Sequence, residues 1–199
     1  MYDPQDYYFK KAKQQGFKAR SAFKLDEIDE KFHLLDRQTS TVLDIGCAPG
    51  SRMQYTYAKL QKLGKKAFQI IGLDIKKVDL NIPGIFTYVQ DITEHDAVAK
   101  IFKEHKIAKF DFIQSDMAPN TMGLRDFDAM RSISLLDQTL WIYKEFLKPE
   151  GKFVIKIFMG PGFDEFVLDL KKTFGGKNIK VYKPKACRSE SKETYIIRV

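Results

Sequence analysis

From residue 41 onward, short apolar runs alternate with longer amphipathic ones. That rhythm constrains the chain most, because strands interleaved with helices build a parallel, doubly wound α/β sheet with helices on both faces. Strands are expected at 41–45, 68–73, 85–89, 110–114, 152–158, 179–182 and 194–199. Helices are expected at 52–63, 97–105, 127–147 and 163–174, with a loop from the fourth strand through Asp126. Ahead of these, residues 5–32 read as helical with a break near Gly16. The last two strands are separated by only about ten residues and no helix, fewer than a parallel crossover needs, so the last strand should run antiparallel. A length of 199 residues suggests one domain over 1–199, with 1–32 packed on it as a basic helical segment.

The first expected strand runs into Asp44-Ile45-Gly46-Cys47-Ala48-Pro49-Gly50, and a helix follows. In such sheets ligands bind beyond the carboxyl ends of the strands, near the switch in strand order. Gly46 and Gly50 allow a sharp turn and a close backbone approach at Ala48 and Pro49. The dinucleotide fingerprint G-x-G-x-x-G is absent, so no pyrophosphate cradle is evident. Asp44 lies where it can brace the turn. Asp74 ends the second strand, where a carboxylate can accept both ribose hydroxyls. Asp91, followed by Ile92, ends the third and suits an adenine amino group. Each acid could equally be an ordinary strand-end or helix-cap residue. Taken together they describe an adenosine without phosphates, which S-adenosylmethionine fits.

Two residues are odd for a core. Lys156 interrupts the apolar run 153–158, and Asp116 closes the fourth strand. A lysine among such neighbours is costly unless paired, although an edge lysine reaching water would look the same.

At this point the sequence resembles the FtsJ/RlmE family of ribose 2′-O-methyltransferases over nearly its whole length. The matching stretches are Ala19–Leu25, Asp44–Gly50, Ser115–Asn120, Phe153–Phe158 and Glu193–Ile196. The resemblance implies a Rossmann-like S-adenosylmethionine-dependent methyltransferase. It places the family's Lys-Asp-Lys-Glu tetrad on Lys24, Asp116, Lys156 and Glu193, with Lys156 as base and Asp116 also beside the methyl donor. Such a base must be neutral. A lysine with the ordinary pKa near 10.4 is neutral only about 0.04% of the time at pH 7, a fraction that burial and a nearby cation such as Lys24 would raise. Asp116 and Glu193 oppose that shift, so their expected task is alignment. One departure stands out. Relatives usually carry tryptophan where this chain has Arg52, in Ser51-Arg52-Met53-Gln54.

The net charge of +8 is unevenly spread: residues 1–24 hold six basic side chains against Asp3 and Asp6, and residues 171–199 hold nine against Glu190 and Glu193. Basic ends suit a polyanion, and solvated lysine-rich ends would look the same. Because they flank Lys24 and Glu193, both should border the site and contact RNA phosphates. The loop 121–127 offers Arg125 and Phe127 to a phosphate or base. Ser115–Asn120, the tail Cys187–Glu193 and the absence of appended domains look most like the ribosomal branch. That implies a uridine of large-subunit ribosomal RNA, or the assembling large subunit, as substrate. Transfer RNA is the alternative, and a non-catalytic RNA-binding scaffold a further one. An oxidoreductase reading rests on Tyr55 and Lys59, a Tyr-x-x-x-Lys pair.

No apolar run approaches the ~20 residues of a membrane helix, and the N-terminus is too polar for a secretory signal. Cytoplasmic and mitochondrial settings both stay open, and the expected form is a monomer. Cys47, Cys187 and the scattered His33, His95 and His105 show no metal-ligand spacing.

Overall fold

The computed structural model describes residues 7–188 and 190–199. Residues 5 and 6 of the expected N-terminal helix, Asp3 and Asp6, and Ser189 of the tail lie outside the described residues. The elements run α1 (Tyr7–Gln14), α2 (Ser21–Phe32), β1 (Thr41–Ile45), α3 (Ser51–Lys62), β2 (Gln69–Asp74), β3 (Ile85–Val89) and α4 (His95–Glu104). They continue with β4 (Phe110–Ser115), α5 (Arg125–Asp137), α6 (Leu140–Phe146), β5 (Leu147–Phe158), α7 (Phe163–Phe174), β6 (Ile179–Tyr182) and β7 (Glu193–Arg198).

The strands form one sheet in the order β3-β2-β1-β4-β5-β7-β6. The first five pair parallel, and β7 inserts between β5 and β6, antiparallel to both. The final hairpin therefore does not simply extend the sheet. α7 carries the chain past the place that β7 fills on its return.

Because successive side chains on a strand face opposite ways, each strand feeds two cores. Leu43, Ile45, Ile113, Phe153, Ile155 and Ile157 pack towards α4–α7. Val42, Phe112, Val154 and Ile197 pack towards α2 and α3. The helices answer with stripes at helical spacing. On α7 these are Phe163, Phe166, Val167 and Leu170, with Asp164 and Glu165 in the first turn and Lys171 and Lys172 in the last, matching the helix dipole.

The expected helix 127–147 is two helices and the start of a strand. The first begins at Arg125, so Arg125 and Phe127 are helical rather than looped. The chain breaks after Asp137, where the Thr139 hydroxyl and amide both turn back to the Leu136 carbonyl. β5 starts at Leu147 instead of residue 152. It pairs with Phe110 there, bulges over Lys148–Gly151, and rejoins β4 with Lys152 opposite Phe112.

Candidate active site

Period-two alternation aligns a polar row across the α2/α3 face of the sheet. Asp44 on β1 sits opposite Gln114 on β4. Asp116 follows two residues later, Lys156 on β5 faces Tyr195 across the antiparallel pair, and Phe158 faces Glu193. Lys24 reaches this row from α2, whose buried stripe of Leu25, Ile28 and Asp29 docks the helix against it.

The tetrad resolves into two lysine–carboxylate pairs. The Lys156 Nζ lies 3.3 Å from Asp116 Oδ1 and donates to the Asp116 carbonyl at 3.2 Å. Lys24 Nζ lies 2.5 Å from Glu193 Oε1. The Lys24 charge is thus met by Glu193, so Lys24 faces Lys156 as one member of an ion pair. Burial opposes ionisation of Asp116, but the charges of Lys156, Arg52 and Lys24 outweigh it and lower its carboxyl to about 2. Burial likewise opposes ionisation of Glu193, and Lys24, then Lys156, hold its carboxyl below the usual range.

Tyr195 joins the two pairs and was not singled out from the sequence. Its hydroxyl donates to Glu193 Oε1 at 2.5 Å and lies 3.4 Å from Asp116 Oδ1. It has one proton to give, and the shorter contact takes it. Burial, with Asp116 and Glu193 beside it, raises its pKa well above the usual value, so it remains a donor. In the sequence it passes as one more residue of an apolar strand. The signal was the i, i+2 spacing that puts it on the face of Glu193. The Cys187 thiol also approaches Glu193 Oε1, at 3.6 Å, and burial followed by the Glu193 charge pushes it up to about 12.

The glycine loop lies next to this row. Gly46 has φ +69, and a Cβ there would come within 2.7 Å of Met117 Cγ, so the residue after Asp116 is pressed against the loop. Asp74 braces the turn directly: Oδ2 accepts from the Ala48 amide and Oδ1 from the Lys76 amide, both at 2.8 Å. The Ala48–Pro49 bond is cis, and Gly50, at φ +109, leads into α3. Asp44, fully buried, acts at one remove by pairing with Arg52. Arg52 Nη2 also donates to the Gly46 carbonyl at 3.2 Å. Asp91 is exposed, and its Oδ1 accepts from the Thr93 amide and hydroxyl, which lower its carboxyl. Ile92 is buried in the core beside it.

The Tyr55–Lys59 pair has a structural task. Tyr55 donates to Asp29 Oδ2 at 2.9 Å, and Lys59 Nζ lies 2.8 Å from the same oxygen, so both fasten α3 to α2. The two basic ends adjoin. Glu27 on α2 accepts from the Tyr182 hydroxyl and from the amides of Lys185 and Ala186.

Residues 17–199 match the sequence family described as FtsJ-like methyltransferase. The chain belongs to that family. It is 38% identical over 197 residues to the ribosomal RNA large subunit methyltransferase E of Bdellovibrio bacteriovorus, covering 98% of this chain and 96% of that one. It is 41% identical to the protein of the same name from Desulfosudis oleivorans, covering 96% and 88%. Among solved structures it resembles a putative ribosomal RNA methyltransferase from Plasmodium falciparum, with a TM-score of 0.79, 26% identity, and 92% and 97% of the two chains covered.

For this FtsJ-like methyltransferase the Asp116 pair has a measurable pH signature. The folded carboxyl titrates at about 2, below its ordinary 3.8. Its contribution is therefore present above pH 3.8 and lost as pH falls through 2. At neutral pH it amounts to about 2 kcal/mol. Asp116→Asn is expected to be less stable by that order at pH 7, with the gap closing as pH drops from 4 towards 2. Urea titrations at pH 7, 5, 4 and 3 measure it, and a gap constant with pH would remove the charge from the account.

Proposed function

We propose that the protein transfers a methyl group from S-adenosylmethionine to a ribose 2′-hydroxyl of large-subunit ribosomal RNA. One observation carries the reading: two lysine–carboxylate pairs from α2, β4, β5 and β7 meet beside the glycine loop. The names of the relatives support the substrate class, and the family supports the reaction.

The cofactor fits the residues present. Beside the loop Asp74 and Asp116 present carboxylates, and the buried cation Arg52 is committed to Asp44. That setting suits a cationic adenosine ligand and opposes a pyrophosphate. Asp74 uses each oxygen once, and a carboxylate has about four acceptor positions, so capacity for ribose hydroxyls remains. Asp91 and Ile92 flank the adenine end in this reading. When bound, S-adenosylmethionine supplies the electrophilic methyl group.

The rest is done by side chains of the chain. Lys156 is the base: once its own proton has passed to solvent, its Nζ takes the hydroxyl proton. Asp116 then faces the new ammonium and fixes its direction through two contacts on one lysine. Lys24, oriented by Glu193, sets a cation where alkoxide charge develops. Tyr195 holds the Glu193 carboxylate so that the two pairs keep their spacing. The carboxylates act by alignment, because an anion near a fading positive charge gains nothing at the transition state.

The test is methyl transfer from labelled cofactor to ribosomal RNA and to ribosomal particles, followed by mapping of the label. Label on a ribose oxygen of the large-subunit RNA is the expected result. Label on a base, or on transfer RNA alone, would replace this reading with another.

A further inference from the structure

The segment that leaves the tetrad carries an apolar surface the mechanism does not use. Met122, Leu124, Phe127, Met130 and Met159 are all exposed, Met122 by 64% and Phe127 by 49%. Exposed apolar side chains gathered in one place mark an interaction site more often than chance. Here they gather at the end of the polar row. The chain runs from Asp116 to Asn120 in four residues, a span of at most about 14 Å. Gly160, just past β5, lets α5 approach closely, since a Cβ there would lie 2.6 Å from the Ala129 Cβ. Lys192, next to Glu193, pairs with Asp126 at 3.1 Å and accepts from the Met159 amide through its carbonyl.

This surface is fastened down. Asp128 accepts from the Met122 and Gly123 amides at 2.8 and 3.1 Å. Arg131 donates to the Asn120 carbonyl at 2.9 Å and lies over the Phe127 ring at 5.8 Å. Both acids of the segment thus have internal partners, Asp126 with Lys192 and Asp128 with the loop amides. Arg125 stays exposed beside the apolar side chains.

Aromatic and thioether faces next to cations, in line with a ribose-modifying cleft, match single-stranded RNA. Unstacked bases stack on aromatic rings and arginine planes, while phosphates take the charges. Methionine adapts its shape, so such a platform accepts any base. We propose that Met122, Leu124, Phe127 and Met130 form a stacking platform for the unstacked bases that flank the target ribose. The proposal rests on the ribose-methylating reading and adds the way the strand is held: by base faces, with Arg125 on the backbone.

The probe is a ten-nucleotide single-stranded RNA containing 2-aminopurine, whose fluorescence changes on stacking. Binding is read without turnover, so the outcome does not depend on the methyl-transfer assay. Phe127→Ala is expected to weaken binding about tenfold and to remove the fluorescence change. Phe127→Trp, which keeps a stacking face, should retain both. The slope of affinity against salt should be unchanged in Phe127→Ala and reduced by about one in Arg125→Ala. Cofactor binding and the melting temperature serve as the folding control, and Met130→Ala repeats the test if Phe127→Ala melts early. Wild-type RNA binding and fluorescence in folded Phe127→Ala and Met130→Ala would overturn the proposal. So would a loss confined to methylation of intact ribosomal particles with RNA binding unchanged, which would assign the surface to a protein partner.

Discussion

Lys156→Ala is expected to slow methyl transfer by about 10²–10⁴-fold while S-adenosylmethionine still binds. The magnitude is that of a lost general base. The expectation of unchanged cofactor binding comes from the fold. Apart from Asp116, the residues assigned to the cofactor stand at the ends of β1, β2 and β3, and Lys156 stands on β5 with β4 between. Its recorded partner is Asp116, through the carboxylate and the carbonyl. Lys156→Arg should be as inactive, because a guanidinium stays protonated throughout the working range and has no lone pair to offer. Single-turnover rates with saturating cofactor, alongside calorimetric cofactor binding, measure both halves. A fall in the rate matched by a fall in cofactor binding would recast Lys156 as a binding residue. An unchanged rate would remove it as the base.

The fold was legible where period and punctuation agree. The strands 85–89 and 179–182 and the helix 163–174 occur at the expected residues, because each apolar run is bounded by turn residues. Residues 127–147 were misread because the break after Asp137 has neither glycine nor proline. It is made by Thr139 bonding back to Leu136, which leaves the apolar spacing intact. The early start of β5 was hidden by Pro149-Glu150-Gly151, which reads as a turn and is a bulge within a strand. Of the site, Lys156 and Asp116 show in the sequence as polar residues out of place. Lys24 and Glu193 do not, since meeting across 169 residues of chain is a property of the folded sheet. Tyr195 was hidden by its own hydrophobicity. Arg52 was visible as a departure from the family, but its partner was not, because nothing in the spacing of Asp44 and Arg52 says that both are buried.

That buried partnership makes Arg52→Met the substitution with the largest expected cost in stability. Asp44 is fully buried and Arg52 is 5% exposed, and removing one member of such a pair leaves the other uncompensated. Losses of this kind run to roughly 3–5 kcal/mol. The loss should depend on pH in a definite direction. Burial already pushes the Asp44 carboxyl up to about 7, with the Arg52 charge holding it from going further. Without Arg52 it must rise again, so the folded state keeps a proton that the unfolded chain gives up near 3.8. Stability then falls as pH climbs from 4 through 7 and beyond, and the gap from wild type should be widest at pH 8–9 and narrower at pH 6. Arg52 also ties down the Gly46 carbonyl, so cofactor affinity should weaken with it. Asp44→Asn combined with Arg52→Met removes the stranded charge and should recover much of the stability, but not the tie to Gly46. Denaturant titrations of both variants across pH, with cofactor binding measured on each, separate the two effects. An Arg52→Met protein as stable as wild type at pH 9 would mean that Asp44 never carries its charge in the folded state.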